Sequence, residues 1–116
     1  MARTKINVCN VGLEDMQAVT TENLDATNGM YFECANKDSV FLVITNTDST
    51  NGITVKIKGA GNNSDKSFTV AKSSHVVIGN LESAKYKQAG EVINVDITVA
   101  QGATASGKIF GIQDLV

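Results

Sequence analysis

The chain contains no proline and no tryptophan, a single histidine, His75, and two cysteines, Cys9 and Cys34. Each shortage excludes something. One imidazole among scattered acids cannot assemble a zinc site or a two-histidine facial set. The cysteines lack CxxC spacing, so they read as two small buried thiols rather than a redox pair or a disulfide. Aromatic residues make up only 5% of the chain, which leaves little for a sugar platform built on exposed ring faces. Phe41, Phe68 and Phe110 fall within apolar stretches and read as core, so Tyr31 and Tyr86 are the rings expected at the surface. A net charge of -2 supplies no basic field for a polyanion, and nucleic acid is not an expected partner. No apolar run reaches the length of a signal peptide or a membrane span, so production in the cytoplasm and no membrane partner are expected. Without proline, edge strands lose one guard against unwanted pairing. Protection then falls to charges such as Lys56 and Lys58, or to a covering partner subunit.

What the chain does have is β-forming chemistry. Val, Ile and Thr together number 33 against five Leu. Branched side chains are stiff at χ1 and suit a pleated sheet better than a helix. A length of 116 residues is one domain, enough to bury ~60–70% of the unfolded surface. KINVCNV, from Lys5, reads as a first strand, and Leu13 to Thr27 as a long irregular connection. MYFECA places Met30, Phe32 and Cys34 on one face, and NKDS follows as a polar turn. VFLVIT, residues 40–45, is apolar on both faces, as expected of a strand buried on each side. ITVKIKG alternates Ile53, Val55 and Ile57 against Thr54, Lys56 and Lys58, and INVDITVA alternates as strictly. FTV, HVVIGNL and IFGIQDL read as further strands, while LESAKYKQAGE fits a turn or two of helix or a wide loop equally well. Roughly eight short strands with frequent turn signals indicate an all-β, single-domain antiparallel sandwich or a β-tulip or jelly-roll-like module. Within it, residues 1–22 read as an N-terminal strand or arm with its connection, and 23–116 as the sandwich proper.

The two Asn-Gly pairs read differently. Asn51-Gly52 lies between two apolar strands and reads as a hairpin turn. Asn28-Gly29 follows a stretch with no alternation, so it reads as a joint that leads the chain into Met30, with Gly29 supplying a positive φ.

Catalytic chemistry is hard to find. Ser73 and Ser74 adjoin His75, but neighbours in a strand point to opposite faces, and a half-buried strand histidine is the expected reading. No GxSxG, Walker sequence or telling carboxylate pair occurs, so neither an enzyme nor a cofactor is expected. NTDSTNG and GNNSDK are oxygen-rich, yet each has one Asp and no closing Glu, and turn chemistry accounts for both without calcium. Charge is unevenly placed. Residues 9–38 carry six acids and one base, whereas residues 56–87 carry six lysines and two acids. Such a division fits two solvated faces, or a two-pole surface that orders contacts with copies of itself or a larger assembly.

The order of features resembles a known group. DATNGMYF, then VFLVITNTDSTNGITVKIKG, then FTVAKSSHVVIGNLESAKYKQAGEVINVDITVA and the closing KIFGIQDL are similar to the capsid decoration (head auxiliary or cement) proteins of tailed bacteriophages. The resemblance spans Asn23 to Leu115 and rests on turns and alternation. It implies a non-enzymatic virion protein, made in the host cytoplasm, that binds and stabilises the outer surface of a phage head. The implied partners are the major capsid protein and further copies of the chain, with a trimer favoured. The longer N-terminal portion, Met1 to Glu22, departs from the group and would be an extra strand or an arm onto a neighbouring subunit, with Arg3 and Lys5 as candidate capsid or subunit contacts. A carbohydrate- or receptor-binding module of a phage tail or cell surface is the alternative, with Tyr31 and Tyr86 as its contact rings.

Overall fold

The alternating stretches pair into two stacked sheets in a computed structural model, which describes residues 2–12, 14–34, 40–81 and 83–114. The strands are β1 (Thr4–Lys5), β2 (Val8–Val11), β3 (Glu22–Asn23), β4 (Met30–Glu33), β5 (Val40–Asn46) and β6 (Ile53–Ile57). They continue with β7 (Lys66–Val70), β8 (Ser74–Leu81), β9 (Lys87–Gln88), β10 (Val92–Thr98) and β11 (Gly107–Asp114). One helical turn, α1 (Ser83–Tyr86), precedes β9. Sheet A runs β1-β4-β10-β6-β7, with β9 also on β10; sheet B runs β2-β11-β5-β8, with β3 also on β11. The protein is therefore all-β and sandwich-like. The sheets are mixed, because β1 runs parallel to β4 and β2 parallel to β11, while the other pairs are antiparallel. The expected NKDS turn lies outside the described residues.

The strict alternation of β6 and β10 is the clearest link from sequence to packing. Val95 faces Ile57 and Ile97 faces Val55 across the ladder, all four turned inward and buried. From sheet B, Val40, Leu42, Ile44 and Ile109 are buried in the same core. Full burial of such a side chain is worth about 1.5–3 kcal/mol. Phe32 is the aromatic residue of this core. Cys34 is buried, its Sγ donating to Glu91 O at 3.3 Å, and Cys9 is half-buried.

Sheet B corrects the reading of VFLVIT. Val40, Leu42 and Ile44 point into the sandwich, while Phe41, Val43 and Thr45 lie half-buried on its outside. A two-layer sandwich offers each sheet only one core face, so an all-apolar strand must turn half its side chains away from it. Phe41 and Phe110 are thus outer-face residues, and Phe68 packs at the core's margin.

Lys56 and Lys58 guard no edge either, because β6 and its continuation lie between β10 and β7. The long edge strands are β7 and β8.

Asn51-Gly52 is a corner rather than a hairpin turn. β5 belongs to sheet B and β6 to sheet A, so the chain crosses between layers here. The crossing is held by Asn46, which ends β5 facing inward and is 1% exposed. Its Nδ2 donates to Asn51 O at 3.1 Å and to Ala71 O at 3.2 Å, and its Oδ1 accepts from Asp48 N at 3.1 Å. That amide replaces the pairing a hairpin would have supplied.

Asn28-Gly29 is the joint expected of it, carrying the chain from β3 in sheet B to β4 in sheet A. Gly29 has φ 74°, and a Cβ there would stand 2.6 Å from Arg3 Nη1. Asp25 closes the turn by accepting from Thr27 N, Asn28 N and Thr4 Oγ1. The Asn28 backbone bond, followed by that from Thr4, holds the Asp25 carboxyl below the usual carboxylate range.

KINVCNV is not one strand of one sheet. Thr4 N donates to Gly29 O and Ile6 N to Tyr31 O in sheet A, and Asn7 O then accepts from Gly111 N in sheet B. Ile6, at the switch, is fully buried.

Asn46→Ala removes three bonds at a buried site and should lower stability by about 2–3 kcal/mol, read as a reduced urea midpoint at constant slope. A second outcome concerns acid. A depressed carboxyl stabilises the fold fully above its unfolded value and loses that contribution as pH falls through the folded one. Stability should therefore decline below about pH 4, and Asp25→Asn should be less stable at neutral pH but show a shallower acid decline in urea midpoints measured from pH 7 to pH 2.5.

Candidate functional site

The outer faces of the two sheets have opposite character. On sheet A the outward positions include Tyr31, Glu33, Lys56, Asn94 and Asp96. On sheet B the register stacks apolar residues side by side. Phe110 lies opposite Val43, Ile112 opposite Phe41 and Cys9, and Val43 opposite Val77. These positions share the outside of β2, β11, β5 and β8, forming one apolar surface about 14 Å across the strands and about 7 Å along them. Lys108 marks one end of it, its Nζ donating to Asn23 Oδ1. Beside the patch the connection between β2 and β3 lines a cleft of about 230 Å³ with Cys9, Ala18, Val19 and Phe110.

Arg3 and Lys5 lie on the opposite, sheet A side. Arg3 Nη1 stands 2.6 Å from Asp96 Oδ1 and donates to Met30 O at 3.2 Å and Val95 O at 3.4 Å. Lys5 Nζ lies 3.4 Å from Glu33. Asp96 also approaches Lys58, which pairs with Asp65 at 3.0 Å, so the charges form a short chain across sheet A. The charge of Arg3 is committed within the chain. The segment that carries it is woven into both sheets as extra strands and does not project as an arm.

His75 sits exposed on the outside of sheet B, with Nδ1 3.1 Å from Thr45 Oγ1. Ser74 Oγ donates to Lys72 O instead of facing the imidazole. In NTDSTNG, the Asp48 carboxylate accepts from Thr50 N at 2.8 Å and Asn51 N at 3.0 Å, and these bonds hold its carboxyl below the usual range. Asp65 does the same for GNNSDK. It accepts from Gly59 N at 2.7 Å and then from Lys58, which lowers its carboxyl likewise. Both loops use their Asp as a turn cap, and among the described residues no three His, Cys, Asp or Glu side chains gather where a metal could bind. Tyr86 packs against the core, which leaves Tyr31, half-buried on sheet A, as the outward tyrosine of the expected pair.

The uneven charge of the sequence takes a spatial form. Glu14, Asp15 and Glu22 lie along the β2–β3 side, and Lys66 and Lys72 lie at the β7–β8 side, the opposite edge of the sandwich.

Sequence reasoning missed the outer residues Phe41, Val43, Phe110 and Ile112. The signal was present, since both VFLVIT and IFGI carry apolar residues at successive positions. In a two-layer fold that pattern means an apolar exterior. Among the described residues, no helix is long and apolar enough to cross a membrane. No protein-family model, curated protein or solved structure matches the chain.

Proposed function

We propose that the protein is a non-enzymatic virion component that decorates the outer surface of a tailed-phage head, docking through the outer face of sheet B. The observation that carries this reading is the contrast between the two faces, one charged, the other apolar from β2 to β8. On this face Val77 is exposed and Phe41, Val43, Phe110 and Ile112 are half-buried, and an apolar outer face of this kind marks an interaction surface more often than an idle one. Covering Phe41, Val43 and Phe110 on the shell leaves the Lys56–Asp96 side toward solvent. The resemblance of the strand and turn order to decoration proteins supplies the partner, a major capsid protein. A shell presents the same binding position many times, so modest contacts at each copy can give full occupancy when copies also support one another.

Val43 stands in the middle of the patch, between Phe110 and Val77. Wild-type protein should pellet with purified phage heads stripped of decoration. Val43→Lys, checked for folding by circular dichroism, should pellet at least about tenfold less well, because it buries an unpaired charge. Equal pelleting of the two proteins, or failure of wild type to pellet, would sink the proposal. Glycan-array binding abolished by Tyr31→Ala would point to the carbohydrate-binding alternative.

A further inference from the structure

We propose that copies of this chain associate head to tail, with the 14–21 connection of one copy lying along the open edge of β8 in the next. Val77 also belongs to the apolar outer face of sheet B, so the salt dependence and the charge-reversal pair, which leave that face unchanged, separate this contact from docking by the face. Among the described residues, the exposed large apolar side chains are Met16 at 92%, Val19 at 47% and Val77 at 64%. Met16 and Val19 lie on the connection between β2 and β3, and Val77 lies on β8. Those are opposite edges of sheet B. Solvent exposure of side chains this size is costly in the free chain and is relieved if the two edges meet.

The backbone points the same way. Among the described residues β8 pairs with β5 on one side only, and its register is regular from Ser74 to Ile78 before shifting beyond Ile78. No Asp, Glu, Lys, Arg or Pro interrupts Ser74–Ile78, so the usual guards of an edge strand are missing. Its outward N–H and C=O groups call for an extended segment as partner. The 14–21 connection has no regular strand pairing of its own and makes no backbone–backbone hydrogen bond among the described residues.

Charge decides which partner fits. Lys72 precedes β8 and Lys66 lies on β7 beside it, while Glu14 and Asp15 open the connection. Two β8 edges pairing with each other would bring both lysine-bearing sides together. Head-to-tail contact instead sets carboxylates of one copy against lysines of the next. A contact of this kind either closes into a ring or continues as a chain. One strand edge buries less than the roughly 800 Å² per partner of a standard interface. Association should therefore be weak in dilute solution and strengthen where copies are already held side by side.

Sedimentation velocity over a concentration series at low salt tests this on the full chain. Wild type should self-associate, and added salt should reverse it. Val77→Lys, a change at an exposed site, should weaken association at least about tenfold. Glu14→Lys and Lys72→Glu should each weaken it too, and an equal mixture of those two variants should recover it, since the reversed charges complement each other only head to tail. A monomer throughout the series, association unchanged in Val77→Lys, or a mixture no better than its components would each overturn the proposal.

Discussion

From Thr4 to Val11 the backbone is hydrogen-bonded first to β4 and then to β11, and this double attachment governs how the two sheets stack. Where the chain changes sheets, Ile6 is fully buried, so the crossing is also a core contact. Arg3 fastens the start of the segment to Asp96 on β10 and to the carbonyls of Met30 and Val95. That fastening needs space, and Gly29 provides it, since any side chain there would meet the guanidinium. A joint in the chain, an ion pair and the alignment of two layers are thus one local solution. The ion pair itself is partly exposed and contributes modestly; the carbonyl bonds and the burial of Ile6 do most of the holding.

A second constraint is geometric. Two layers enclose one core, so each sheet has an outside, and the character of that outside is left to the sequence. Sheet A takes polar residues at its outward positions and links them as Arg3, Asp96, Lys58 and Asp65. Sheet B takes Phe41, Val43, Phe110 and Ile112 at its own. Stability does not require the second choice, because those side chains add little to the interior. The asymmetry is what the docking proposed above would use.

Much of the architecture was legible where the chain alternates. Ile53 to Ile57 and Ile93 to Ile97 announced strand, face and burial together, because a period of two leaves one arrangement for a half-buried strand. Gly29 was legible as a joint because no alternating strand precedes it. The sheet change within KINVCNV was not, since its alternation continues through Ile6 and Val8 while the partner strand changes. Asn51-Gly52 misled for a related reason. Local turn chemistry suggests a reversal, but whether the next strand pairs beside the last or crosses to the other layer depends on residues far along the chain, here including Ala71. The outer patch was misread because apolar character states that a side chain seeks cover without stating on which side the cover lies. The charge division was legible in part: Glu14, Asp15 and Glu22 lie opposite Lys66 and Lys72, but Lys5 with Glu33 and Lys58 with Asp65 pair opposite charges within sheet A.

The last strand has a consequence for synthesis. β11 lies between β5 on one side and β2 with β3 on the other, so the middle of sheet B is the last of these eleven strands to be made. Until it emerges, β2 and β5 have no shared neighbour, and the proline-free strands already translated present open edges with apolar faces. Sequence-distant pairings of this kind form slowly. The nascent chain therefore passes through an interval in which the outer apolar face of sheet B is indistinguishable, physically, from a core that has not yet closed, and its safe passage depends on how quickly residues 107–114 become available.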